Sequence, residues 1–356
     1  MGLGAVIAIN FIRKLFMEYP LRKIYIEIYE YNRQSLISNL KAGFIEEGII
    51  PDYKYYDNAY YNMHILSMNK LTLLINWGDI LKMKCINLCE IYDEGIIDID
   101  SIMYKYLDSY HRIYIGSYFC SRYFIYMKRF MNKLLYYAKH NNMKLTLVIP
   151  VFSEKDINIS KKVISEIISS SEEIIDEVTV NDLGMLFYIK EKFNIKINLG
   201  RLFFKEPRDL RVPEYYYTEV VKPEIAKIIC DREIKEHISL IELDEVCNKI
   251  CTDNIDDFNI GIHIPFCYMS TGNICKFASI NKNIDLKFRP NDSCKQECLS
   301  VYEHYCEYYN ESKIDIYRLG RAIYSFTRER CELSNVSREI YFPFLEIIDK
   351  LGELQK

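Results

Sequence analysis

At 356 residues the chain has room for one large domain and a smaller one. Hydrophobic residues make up 49% of it and charged residues 27%, the balance of a folded globular protein rather than a disordered chain. A formal net charge of −4 leaves no basic footprint for nucleic acid. The expected partner is an unknown small-molecule substrate, with no nucleic acid and no membrane.

The chain opens on an apolar stretch, Met1 to Asn10, which lacks the basic n-region and clean cleavage site of a secretory leader. It is also too short to span a bilayer. Twelve cysteines in such a chain are not expected to form a disulfide scaffold, and a reducing cytoplasm is the natural setting. Cys85, Cys89, Cys230, Cys247 and Cys251 read as small buried hydrophobes.

In chain order, residues 3–18 carry apolar positions at helical spacing. Lys23 to Tyr29 is β-like, and Asn32 starts a short helix that Gly43 ends as a C′ glycine. Tyr53 to Met68 reads as two strands around Asp57-Asn58. From about residue 71 the pattern changes to β-runs alternating with helical stretches such as 121–140 and 157–170. The expected strands are Leu71–Asn76, Arg112–Gly116, Leu145–Pro150, Glu177–Asn181, Ile195–Leu199, Ser239–Leu243, Gly261–Pro265 and Ile314–Tyr317. Eight strands with helices between them predict an α/β (β/α)8 TIM-type barrel over residues 71–356, and a doubly wound sheet would read similarly. In a barrel, functional groups gather at the C-terminal ends of the strands.

Four cysteines stand out. Cys294 and Cys298 form a C-x3-C, Cys275 lies upstream of them, and Cys120 follows the run RIYIGSYF. Four thiolates drawn from distant segments suit a structural zinc or an iron–sulfur cluster; four unrelated buried thiols are the third reading. Other candidates sit at strand ends. Asn181 and Asp182 would meet substrate at a barrel mouth, or Asp182 would cap the next helix. Arg201 and Arg208 would bind an anion bidentately, or pair with surface carboxylates. His263 would act as an acid–base group, or be a satisfied core histidine. HExxH, a nucleophile elbow, a Walker loop and a complete GxGxxG are all missing, so peptidase, kinase and dinucleotide readings lack a motif.

Residues 1–70 resemble the C-terminal half of a GNAT-superfamily N-acetyltransferase. Asn32, Ser35, Lys41, Gly43 and Phe44 match its N-x-x-[AS]…K-x-G-F pattern, continued by Glu46-Glu47-Gly48 and by Tyr60, Met63 and Met68. The resemblance implies acetyl-CoA as a cofactor. Gly2 and Gly4 would stand in the loop that gives backbone N–H groups to its pyrophosphate, and Asn32 would belong to the cofactor side. Asn39 stands where the family often has a tyrosine general acid. The strands and helices that precede the loop in the family are missing, so the segment is expected to be a truncated or degenerate remnant rather than a complete acetyltransferase.

Residues 71–345 resemble the collagenase-like peptidase family, within it the ubiquinone-biosynthesis accessory proteins of UbiU/UbiV type. The motifs are IYIGSYFCSR, DEVTVNDLG, Leu199-Gly200-Arg201 with Pro207-Arg208-Asp209, and the ordered set His263…Cys267, Gly272…Cys275 and Cys294…Cys298. The resemblance implies a [4Fe–4S] cluster, a heterodimeric protein partner and an oxygen-independent hydroxylation, with this chain as enzyme or redox partner. One ligand set would be Cys120, Cys275, Cys294 and Cys298. The other would be Cys267, Cys275, Cys294 and a later cysteine, Cys331; the first is preferred because Cys120 follows its strand. Alternatives are an acetyltransferase with the barrel as specificity module, and a zinc-stabilised scaffold.

Overall fold

The structure is a computed structural model that describes residues 23–41, 44–69, 83–93, 99–103, 110–171, 173–204, 220–221, 231–245, 249–250, 257–290, 294–309, 312–326 and 336–345, with a few single positions besides. It divides into two compact units, Met1–Lys82 and Met83–Lys356.

In the first unit β1 (Lys23–Tyr29), α1 (Arg33–Lys41), β2 (Ile45–Tyr56) and β3 (Ala59–Asn69) follow one another, and the strands pair antiparallel in the order β1-β3-β2. The Asp57-Asn58 turn closes the β2–β3 hairpin with both residues at positive φ, 49° and 60°. That is the backbone a two-residue hairpin turn of matching twist requires, and Asp and Asn tolerate it. Asn32 caps α1, its Oδ1 accepting from Ser35 N at 3.3 Å. Ile28, Phe44, Leu66 and Met68 bury one face of the sheet. The expected hairpin is present, with β2 beginning eight residues earlier than the run from Tyr53 predicted. Gly2 and Gly4 lie outside the described residues.

The second unit is a closed barrel of eight parallel strands. Its elements run β4 (Met83–Asn87), α2 (Ile99–Met103), β5 (Arg112–Gly116), α3 (Ser121–Met127), α4 (Met131–His140), β6 (Lys144–Ile149), α5 (Ile157–Ser169), β7 (Ile175–Val180), α6 (Leu183–Lys192), β8 (Lys196–Leu199), the short β9 (Val220–Val221), α7 (Arg232–Lys235), β10 (Ile238–Asp244), the short β11 (Lys249–Ile250) that pairs with β9, and β12 (Ile260–Ile264). An antiparallel sheet of β13 (Phe266–Thr271), β14 (Glu303–Tyr309), β15 (Ser312–Leu319) and β16 (Ala322–Phe326) is inserted before the last barrel strand, β17 (Val336–Tyr341). The barrel order is β4-β5-β6-β7-β8-β10-β12-β17, closing on β4. Closure leaves no barrel edge unpaired, and strands covered on both faces can be apolar throughout.

Six of the expected barrel strands are present. Ile314–Tyr317 is a strand of the inserted sheet rather than of the barrel, as part of β15. Leu71–Asn76 lies outside the described residues. The first and eighth barrel strands are β4 and β17, MKCIN and VSREIY, which the apolar-run criterion passes over. The arginine of β17 is used inside. Arg338 donates to Glu177 Oε2 at 3.1 Å and to the Tyr114 hydroxyl at 2.6 Å, deep in the barrel. Thr146 and Asn198 complete the Glu177 shell at 2.6 and 3.0 Å, so the buried carboxylate is paired and hydrogen-bonded as burial demands.

Candidate metal centre

Gly116 ends β5 at φ +114°, and a Cβ there would lie 2.2 Å from the Val148 carbonyl oxygen, so only glycine lets the chain leave the barrel at this point. The turn that follows is held from below by Glu90. Its Oε1 accepts from the Ser117 hydroxyl and from Tyr118 N at 2.8 Å, and from Phe119 N at 2.7 Å. Ser117 Oγ in turn accepts from Cys120 N at 2.7 Å. Glu90 is buried and itself sits at φ +65°, a conformation that costs a non-glycine residue about 1–2 kcal/mol; the three hydrogen bonds offset it. The result fixes Cys120 at the N-cap position of α3.

Cys275, Cys294 and Cys298 arrive from the other side, on the stretch between β13 and β14 that runs through three short 3₁₀ turns, Phe277–Ser279, Ile284–Leu286 and Glu297–Leu299. The tip of the β15–β16 hairpin, Gly320 and Arg321, closes the set. One pocket is lined by Cys120, Cys275, Cys294 and Cys298, together with Phe277, Ala278, Glu297, Gly320 and Arg321. None of the four cysteines is in a disulfide. Among the described residues, no three of these four thiols lie within 4.8 Å of one another.

Burial pushes the Cys120 thiol up to about 11 and raises Cys294. Cys298 is held well above its ordinary value by burial and by the neighbouring sulfurs of Cys120, Cys275 and Cys294. The Arg321 guanidinium acts in the opposite sense on Cys120 and Cys294. Four ionised thiols here need a cation to balance them; the pocket lining supplies one cationic side chain, Arg321, and one carboxylate, Glu297, which acts against it.

The alternative ligand Cys267 is buried in the barrel core, with its thiol donating to the Tyr268 carbonyl, and it does not line the pocket. Cys331 lies outside the described residues, as do Cys230, Cys247 and Cys251. Cys85 and Cys89 are fully buried, as expected of small hydrophobes.

No family model and no curated protein matches the chain. Among solved structures, it is similar to a protein assigned as a phosphinothricin N-acetyltransferase, at 26% identity over 19% of this chain and 43% of that one, TM-score 0.18. It is similar to a U32 peptidase at 10% identity over 46% of this chain and 68% of that one, TM-score 0.26. A phospho-2-dehydro-3-deoxyheptonate aldolase (DAHP synthase) from Thermotoga maritima aligns at 8% identity over 69% of this chain and 80% of that one, TM-score 0.31. The chain thus spans less than half the length of the acetyltransferase. At these TM-scores none of the three bears on activity.

The remaining candidate residues are spread through the barrel mouth and interior. Asp182 caps α6, its Oδ1 accepting from Met185 N at 2.8 Å. Asn181 is buried and donates to the Ile149 carbonyl at 2.9 Å. Arg201 is no surface residue. It is buried to 1% exposure, grips Asp244 through two guanidinium nitrogens, donates to the Phe266 carbonyl at 3.1 Å, and is ringed by Tyr118, Phe119, Tyr268 and Tyr324 at 5.5–5.8 Å. His263 is equally buried, Nε2 lying 3.1 Å from Glu242 Oε2. Arg208 lies outside the described residues. Sequence reading overlooked Glu90, Glu242 and Arg321, which stand in no motif.

Glu242 accepts from Thr179 Oγ1 at 2.6 Å and from the Tyr118 hydroxyl at 2.7 Å, yet burial lifts its carboxyl to about 7. The folded protein therefore keeps a proton that the unfolded chain releases near 4.5. The contribution of this carboxyl to stability is fully present below that lower value and is lost as pH rises through 7, by on the order of 3 kcal/mol. Unfolding midpoints are expected to drop between about pH 5 and 8, and Glu242→Gln, neutral throughout, should flatten that slope. An unchanged slope in the variant would assign the titration elsewhere.

Proposed function

We propose that the barrel unit is an iron–sulfur protein holding a [4Fe–4S] cluster through Cys120, Cys275, Cys294 and Cys298. In this reading it serves an oxygen-independent modification, a hydroxylation, as the enzyme or as its redox partner. The observation that carries the reading is the convergence of four thiols from distant segments on one pocket that also holds Arg321. The resemblance of the ordered cysteine motifs to those of the iron–sulfur accessory proteins, rather than the spacing of the thiols, favours iron–sulfur over zinc.

When bound, such a cluster supplies one-electron transfer. The chain's own residues do the rest. Glu90 and Ser117 hold the Cys120 loop in register, and Arg321 offsets the charge of the thiolates. Four cysteine ligands leave no open iron position for substrate, which favours electron transfer over direct substrate activation. A protein partner that gives or takes the electron belongs to the same reading. So does a substrate side built on the barrel mouth near Asn181.

The test is iron, zinc and acid-labile sulfide per chain after strictly anaerobic purification. About four irons with four sulfides are expected. One zinc without sulfide would overturn the reading in favour of a structural site.

A further inference from the structure

A second group of ligand atoms lies on the inserted sheet, apart from the four-cysteine pocket. His304 and Cys306 stand two residues apart on β14, so their side chains share one face. Asp315 on β15 is the direct antiparallel partner of Cys306, which puts its Cβ about 5 Å away on the same face. The imidazole, thiol and carboxylate donor atoms all lie within 4.8 Å of one another. His304 Nε2 is 3.0 Å from Asp315 Oδ1, Cys306 Sγ is 3.2 Å from that oxygen, and Sγ and Nε2 are 3.9 Å apart.

We propose that His304, Cys306 and Asp315 form a zinc site that clasps β14 to β15. Ordinary Zn–N, Zn–S and Zn–O lengths at a tetrahedral ion separate such ligands by roughly 3.3–3.6 Å, and the three observed separations bracket that range. The geometry is also prepared from behind. The His304 ring stacks on Tyr317 at 4.4 Å and 14°, which fixes the plane in which Nε2 is offered, and Asp315 is buried. His304 and Cys306 face solvent, so water can complete the tetrahedron, as in zinc sites with three protein ligands.

The charge balance is neutral: one thiolate and one carboxylate against a dication. Without metal, the Lys313 ammonium takes the cation's place, 3.1 Å from Asp315 Oδ1. Lys313 is exposed and must swing away on metal binding, so it competes with zinc rather than joining it. β14 is the end strand of its sheet among the described residues, and a cross-strand ion there would tie down an edge held otherwise on one side only.

The test reads the site itself. The intact chain is alkylated with iodoacetamide with and without added zinc, and modification of Cys306 is followed by peptide mass spectrometry. Cleavage after glutamate, at Glu303, puts Cys298 and Cys306 on different peptides, so the four-cysteine pocket does not interfere. Zinc is expected to slow Cys306 alkylation at least tenfold. His304→Gln and Asp315→Asn should each abolish the protection, and Lys313→Gln, a change at an exposed side chain, should lower the zinc concentration needed. Unchanged Cys306 alkylation in zinc would overturn the proposal. So would protection that persists in both His304→Gln and Asp315→Asn.

Discussion

Replacing Cys298 with serine is expected to strip iron and sulfide from the anaerobically purified chain, from about four of each to less than one. Serine keeps the size and the fold, but its hard oxygen is a poor ligand for a site that selects soft sulfur. Cys298 feels all three of the other pocket thiols, so it is the ligand whose loss breaks the ring most directly. Cys267→Ser discriminates between the two ligand sets. Its thiol is packed in the barrel core, and the variant should keep its iron. Iron lost from Cys267→Ser and kept by Cys298→Ser would mean that the other set is the true one. Cys306→Ser, outside the pocket, should leave the iron unchanged.

The second large effect is expected at Asp244. Asp244→Ala should cost about 3–5 kcal/mol, the usual penalty for stranding one member of a buried ion pair. The Arg201 guanidinium would keep its charge in an aromatic cage with its main partner gone. The loss also spreads, because Asp244 Oδ1 accepts from Tyr268 N at 3.0 Å and Arg201 donates to the Phe266 carbonyl. The pair therefore joins the ends of β8 and β10 to the start of the inserted sheet. For a unit of this size the unfolding midpoint should fall by roughly 10 °C. Arg201→Met combined with Asp244→Leu should recover most of it, since no unpaired charge remains. A single Asp244→Ala variant within about 1 kcal/mol of the parent would show that the pair contributes little.

The barrel strands that could be read in the sequence share a physical cause. In β5, β6, β7, β8, β10 and β12 buried aliphatic residues recur along each run because each strand is covered on both faces, even where a polar group such as Glu177 or Glu242 is interleaved. Of the two that could not be read, β17 buries Arg338 and Glu339, and β4 buries Asn87. Arg338 looks like a surface residue until the Glu177 that neutralises it is seen across the barrel. Ile314–Tyr317 has the composition of a barrel strand, and only its antiparallel pairing with β14 and β16 assigns it to the inserted sheet.

The same division holds at the site. Cys120, Cys275, Cys294 and Cys298 were legible because each sits in a local context of strand end or short spacing. Glu90 and Arg321 were not, because each is defined by what it reaches: the backbone of residues 118 and 119 for one, the thiol pocket for the other. The cross-strand group of His304, Cys306 and Asp315 was hidden for that reason as well, since a ligand from β15 joins two from β14 only once the register is known.

By itself, then, the sequence determined the alternation of strands and helices, the hairpin at Asp57-Asn58 and the cysteines worth following, because periodicity, turn chemistry and short spacing are local properties. The tertiary structure alone decided barrel closure, the pairing of Arg201 with Asp244, the burial of His263 against Glu242 and the meeting of four thiols. Each of these depends on groups tens to hundreds of residues apart, and burial sets their energies by excluding water.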